Sequence, residues 1–397
     1  MDISTYITTA NYANEALTQL SDKETKHKKE FGYDLYHGRF SKAAVSRLSG
    51  LSRAIVDKSM IEMEANGYVF SKKQSGSVEQ YDLTIEEVID IYAHRNEPKL
   101  RDTYSEAIVL FFANLKGGVS KSVTTSNTAH ALRTHPMLLK QDLRILVIDL
   151  DPQASATVML NHLYSIGNVE CSSAQAMLQN LTREELLEDF IIESKVNNVY
   201  VMPASIEDGF IASDWEKLCA EYLPGQNTNT VLKDNIIDKI KGDFDFILID
   251  SGPHLDAFLK NSIVASDILA TPLPPMQLDL HSTLRYTGRL PHIFADLIQT
   301  GVSSLPKHHF AFMTKLSKSN QDTEALSIAK SVFRHEILDT HIPNLLAFQR
   351  CAETFDTVIS VNPREYDGDS KSLNNAKTAI ENFALSVFQH IQYLRAV

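Results

Sequence analysis

The spacing of apolar positions divides the chain before any chemistry is considered. Ile3, Tyr6, Ala10, Ala13, Leu17 and Leu20 recur at alternating steps of three and four, which is the seam of two helices lying side by side. Fewer than three heptads cannot hold a dimer unaided, so this face either packs on its own domain or pairs with a partner. Residues 40–83 change rhythm. Ser41 is placed to cap a short helix ending at Gly50, and Ser52 a second helix whose inner face carries Ile55, Val56, Met60 and Met63. Asn66-Gly67 closes that helix. The stretches YVFSKK and VEQYDL about a QSGS turn then read as a β-hairpin. Thr84 and Glu87 form a capping box for the helix IEEVIDIYAHR, which stops before Asn96-Glu97-Pro98.

From residue 107 the pattern alternates between apolar β-branched runs and helical periodicity. The runs are 107–113, 144–150, 198–204, 244–250, 267–273 and 309–315. Strands so continuously apolar are buried on both faces, so they predict a largely parallel sheet covered by helices. Three segments result: 1–30, an N-terminal helix; 31–103, a helix–turn–helix followed by a hairpin; and 104–397, an α/β domain whose ligand crevice lies at the carboxyl ends of its strands.

Charge sharpens the second segment. The chain carries a formal −12, which excludes a uniformly basic coat. Yet residues 39–73 hold seven basic side chains against three acidic ones (Asp57, Glu62, Glu64). Helix–turn–helix–hairpin is the winged plan in which the second helix enters the DNA major groove. Ser41, Lys42, Arg47, Ser52, Arg53, Lys58, Lys72 and Lys73 are the candidate DNA contacts, on the caps, the exposed helix face and the wing; a winged domain used for protein contacts is the alternative. Cys171, Cys219 and Cys351 share no metal-binding or disulfide spacing, which fits a reducing cytoplasm. No leader pattern opens the sequence, and no window approaches the roughly 20 apolar residues of a membrane span.

Candidate chemistry concentrates in NLKGGVSKSVTTSN, residues 114–127. The P-loop pattern G-x-x-x-x-G-K-[ST] wants glycine where Leu115 and Ser120 stand. A phosphate cradle needs less than that pattern: converging backbone N–H groups, a helix N-terminus and one lysine reaching the outer phosphates. Gly117 and Gly118 free the backbone, Lys121 is the placed lysine, and the Ser122 hydroxyl suits Mg²⁺. Read alone, the same residues also fit an ordinary Gly-Gly turn between strand and helix.

K-G-G-x-x-K-[ST], with its additional lysine at Lys116, resembles the deviant Walker A motif of the ParA/MinD ATPase superfamily. VIDLDPQASAT (147–157) resembles that superfamily's second motif, and FILIDSGPHLD (246–256) its Walker B strand and switch. With the winged segment in front, the resemblance narrows to the large ParA proteins of plasmid partition, especially the prophage-plasmid group, and covers nearly the whole chain. It implies a P-loop NTPase fold and a site shared by two subunits. Lys116 would enter the partner's site, while Lys121 and the backbone of Gly117, Gly118, Val119, Ser120, Ser122 and Val123 hold phosphates at home. Ser122, Asp149 and Asp250 would serve the metal, and Asp151 would position the attacking water. Thr314, Lys315, Pro343, Phe348 and Arg350 would complete the nucleotide site. The chain departs from the family at Ser120, normally glycine, and at Ser251-Gly252, where Thr-Pro is usual.

The function so implied is a partition ATPase using ATP/ADP and Mg²⁺, with weak, partner- and DNA-stimulated hydrolysis. It would be a homodimer that binds nonspecific chromosomal DNA with ATP, represses its own operator with ADP, and answers to a ParB-type centromere-binding protein. Its place would be the cytoplasm, on the nucleoid. The alternative is a nucleotide-sensing repressor without significant hydrolysis. A membrane-cycling ATPase needs a basic amphipathic tail; the last 24 residues offer only Lys377 and Arg395.

Overall fold

A computed structural model describes residues 3–166 and 169–396. Among the described residues there are nine strands. The wing is β1 (Lys72–Ser75) and β2 (Val78–Tyr81); the main sheet comprises β3 (Ile108–Phe112), β4 (Ile145–Leu150), β5 (Ile192–Glu193), β6 (Val199–Met202), β7 (Phe246–Ser251), β8 (Ile268–Leu273) and β9 (His308–Met313). The sheet order is β5-β6-β4-β7-β3-β8-β9. Every pairing is parallel except the edge contact of β5 with β6.

All six apolar runs of the α/β segment become strands of this sheet, and strand alternation explains why they lack polar positions. Leu110, Phe112, Val147, Leu248 and Phe312 point into one layer, with the helices Lys121–Thr134 and Ser370–Ala396. Val109, Phe111, Leu146, Ile148 and Ile249 point into the other, against Ala257–Ala265 and Gln277–Gln299. Both faces are thus consumed by packing, and only the strand ends remain for chemistry.

The winged domain forms with its predicted caps, although the first helix, expected to reach Gly50, stops at Val45 and gives way to turns. Ser41 accepts from Ala44 N ahead of Lys42–Val45, and Ser52 from Ile55 N ahead of Arg53–Ala65. Both bonds of the Thr84–Glu87 capping box are present. Val45, Val56, Met60, Phe70, Leu83, Val88 and Tyr92 close its core. The hairpin is shorter than its sequence pattern suggests. Pairing starts at Lys72 because Phe70 turns inward, 3% exposed, and Gly76, at φ +62, supplies the two-residue turn. The antiparallel β5 is not foreshadowed at all; two residues carry no periodicity.

The N-terminal helix runs from Ile3 to Phe31. Of its two alternatives, packing on its own domain is not what residues 3–20 do, since all of them are exposed. Burial begins at Ser21, whose hydroxyl meets that of Ser165 at 2.7 Å, and is complete at Lys28.

Candidate functional site

The site is built on three neighbouring strand ends. β3 runs into the loop 113–120, β4 into Asp149 and Asp151, and β7 into Asp250. Asp149 and Asp250 are direct register partners on β4 and β7, so two buried carboxylates stand side by side. Lys121 opens the helix facing them.

The loop takes its shape from two left-handed residues, Gly118 at φ +75 and Ser120 at φ 74, ψ 28. The second is a conformation that favours glycine; a serine there bears about 1–2 kcal/mol of strain. Asn114, fully buried, ties the loop down: its amide donates to Pro272 O and Thr283 Oγ1, and its Oδ1 accepts from Lys116 N at 2.9 Å. Thr314 Oγ1 donates to Val119 O at 3.2 Å, and Lys315 Nζ to Gly118 O at 2.6 Å. Thr314 therefore braces the loop from behind.

The acids differ sharply in their partners. Asp149 accepts three hydrogen bonds: from Asp151 N at 3.0 Å, and from Thr157 N and Thr157 Oγ1, each at 2.8 Å. Burial nevertheless pushes its carboxyl up to about 7, against those donors. Both Asp250 oxygens are buried with no hydrogen-bond partner. Burial and then the charge of Asp149 drive its carboxyl well above the usual range, while Ser122 and Lys121 oppose them. Burial also lowers Lys121, whose Nζ lies 3.5 Å from Lys116 O. Two adjacent carboxylates, one of them with no donor in good hydrogen-bond geometry although the Ser122 hydroxyl is close enough to act on it, beside a lysine are a donor set suited to a hard divalent cation next to phosphate.

Beside the loop opens a cavity of about 790 Å³. Gly118, Ser120, Val123, Lys315, Pro343 and Phe348 from the sequence-derived set line it. Arg350 is not among the residues lining this cavity; its Nη1 donates to Asp367 O at 2.5 Å, while Phe348 on the same helix, Leu346–Glu353, faces the cavity. Thr124, Met276 and Gln349 line the cavity without having been anticipated. Thr124 was legible in principle, one turn after Ser120 on the same helix face; Met276 and Gln349 reach the cavity only through tertiary structure.

Lys116 does not point into this cavity. Its Nζ lies 3.5 Å from Asp279 Oδ1, on the helix that follows β8. The candidate DNA contacts share one small domain, Arg53, Lys58 and Lys73 with side chains 91%, 78% and 60% exposed. Lys42 pairs with Asp57 at 2.8 Å and Lys72 with Glu79 at 3.4 Å. Arg47 is exposed, and the hydroxyls of Ser41 and Ser52 are used as helix caps. Among the described residues no helix is long and apolar enough to cross a membrane.

Known proteins match both halves. Residues 13–104 fit the ParA helix turn helix domain, and residues 107–288 an AAA domain. The plasmid partition protein A of Escherichia coli is 52% identical over 387 residues, 98% of this chain and 97% of its own. A solved partition protein superposes with a TM-score of 0.80 at 41% identity, covering 100% of both chains. The cobyrinic acid a,c-diamide synthase of Mycobacterium smegmatis, solved with ADP and magnesium, shares the fold at 21% identity and a TM-score of 0.52, over 72% of this chain and 96% of its own.

Proposed function

The chain belongs to the ParA family of plasmid partition ATPases, and from that premise we propose that it couples ATP hydrolysis on Mg²⁺ to two modes of DNA binding. The observation that carries the reading is the meeting of Lys121, the paired Asp149 and Asp250, and the strained loop 117–120 at adjoining strand ends, beside a cavity large enough for a nucleoside.

The roles follow from the local chemistry. The backbone of 117–122 and the Lys121 ammonium bind the phosphates, with Lys121 already stripped of water. Phe348 and Pro343 give the base an apolar wall. Asp151 orients the attacking water. Ser122 and Asp250 would hold magnesium, with Asp149 supporting, and the ion would neutralise charge gathering on the phosphate oxygens.

A second copy completes the site in this reading. Lys116, half-exposed, leaves Asp279 and crosses to the partner's phosphates. Phe210, Leu255 and Leu278, exposed by 72%, 53% and 82%, follow the carboxyl ends of β6, β7 and β8. They offer apolar area for such a contact. The exposed seam of the N-terminal helix provides a further pairing surface. ATP closes the dimer and creates salt-sensitive, nonspecific DNA binding on the nucleoid; ADP leaves the winged domains set for the operator. A ParB-type partner stimulates the weak hydrolysis and releases the protein.

The test is Lys121→Ala, with ATP turnover and operator binding measured separately. Turnover falls to background while operator binding by the winged domain persists; unchanged turnover ends the catalytic reading. Steady-state turnover with nonspecific DNA and the ParB-type partner present distinguishes this from a nucleotide-sensing repressor, which would hydrolyse no faster with them than without.

A further inference from the structure

We propose that Thr157 is a positioning residue for hydrolysis, which fixes the Asp149 carboxylate and, through it, the main chain at Asp151; this rests on the ATPase reading above. Thr157 lies in the helix Ser155–Leu160 and is fully buried. Its hydroxyl has one proton to give, and its surroundings decide where that proton goes. Ala204 N, just past β6, donates to Thr157 Oγ1 at 3.0 Å. The oxygen is thereby an acceptor on that side, and its own proton is delivered to Asp149 Oδ2 at 2.8 Å. Thr157 N reaches the same oxygen.

With Oδ2 held twice, the carboxylate cannot rotate, and Oδ1 is left aimed at Asp151 N, 3.0 Å away. Asp151 O then accepts from Ala154 N at 2.7 Å, closing a turn that carries Ala154 at φ +52. One side chain therefore joins the end of β4, the helix after it and the end of β6, and the water-positioning acid sits at the tip of the assembly. Asp250, in register beside Asp149, has no such donors. The geometry separates two tasks: Asp250 is open to a cation, whereas Asp149 is immobilised for the loop. Removing the hydroxyl would leave Ala204 N unpaired and Asp149 free to turn toward Asp250, so that Asp151 loses its fixed place.

Two substitution pairs isolate the hydroxyl: Thr157→Val against the unmodified chain, and Thr157→Ala against Thr157→Ser. We expect Thr157→Val and Thr157→Ala to lower kcat for ATP at least tenfold with KM within threefold. Fluorescent ADP affinity in Mg²⁺ should also stay within threefold, and Thr157→Ser should recover kcat to within threefold. A merely structural threonine would instead weaken ADP binding and melting temperature along with kcat, and Ser would not stand apart from Ala; that result overturns the proposal. So does an unchanged kcat in either hydroxyl-free variant. If Thr157→Val does not melt cooperatively, the Ser and Ala pair decides. Absence of turnover in the unmodified chain would overturn the ATPase reading, and with it this role, and needs no variant to be seen.

Discussion

Lys28 Nζ donates to Asp356 Oδ2 across 2.5 Å, between side chains 1% and 2% exposed that lie 328 positions apart in sequence. Glu365 approaches the same ammonium to 3.0 Å, and Lys195 holds the other Asp356 oxygen at 3.0 Å. Burial alone would lower the Lys28 pKa; the carboxylates of Asp356 and Glu365 outweigh it and hold it above its ordinary value. The cluster anchors the N-terminal helix to the turn after Leu346–Glu353, the helix that lines the cavity. On the far side of that turn Thr357 Oγ1 meets His130 Nδ1 at 2.8 Å, on the helix that begins with Lys121.

Removing one member of such a cluster strands the others. Lys28→Met should lower unfolding free energy by about 3–5 kcal/mol, the cost of a buried charge left without its partner. Adding Asp356→Asn should return part of that loss. Urea denaturation of the single and double variants measures both, and strictly additive losses would show that the two side chains act independently.

The paired carboxylates predict a pH dependence with a definite sign. A carboxyl whose pKa is raised on folding holds its proton more tightly in the folded chain, so stability is lost as pH rises from the unfolded value. For Asp149 that window runs from about 4 to about 7. Asp250→Asn removes one of the two charges, so the nucleotide-free variant should melt above the unmodified chain by a margin that widens across this range. Thermal melts at several pH values provide the measurement; a constant margin would contradict it.

Lys116 and Lys121 should separate cleanly. Lys121→Ala removes a buried ammonium from the phosphate site, whereas the Lys116 side chain lies 3.5 Å from Asp279 and 40% exposed. Lys116→Ala should therefore keep ATP affinity within about threefold while losing hydrolysis by about 10³-fold or more, as expected for a charge supplied in trans. Equilibrium binding and single-turnover kinetics resolve the two quantities.

On the winged domain, Arg53 is the most exposed of the candidate contacts for which an ion pair is seen, at 91%. If it touches a phosphate, Arg53→Ala should reduce the slope of log affinity against log salt by about 0.9 on a random duplex, with little change in discrimination. If it touches a base, discrimination should fall instead. Titrations at four salt concentrations distinguish these outcomes.

The sequence was most legible where a residue type has one physical use. Continuous apolar, β-branched runs alternating with helical periodicity favoured strands of a covered parallel sheet, and all six form strands of it. The serine and threonine caps of the winged domain left a mark three residues ahead of their partners. The glycines and lysines of 116–121 fitted an ordinary turn as well as a cradle, and only their likeness to a known motif, together with 147–157 and 246–256, favoured the cradle. What stayed hidden depended on distant chain segments. Nothing near Thr157 in sequence announces Ala204, and nothing near Arg350 says that Phe348, two positions earlier, would take the inward face. Lys28 reads as one more surface lysine in a polar stretch until Asp356 is folded over it.

The N-terminal helix has a consequence of scale. Residues 3–20 stand clear of the body, and at about 1.5 Å per residue they span roughly 27 Å, somewhat less than the 34 Å of one duplex turn. The same helix is bolted at Lys28 to the nucleotide-binding body, a few residues ahead of the winged domain. The continuous helix leaves no flexible tether between those exposed turns and Lys28, so whatever engages residues 3–20 is coupled stiffly to the nucleotide-binding body.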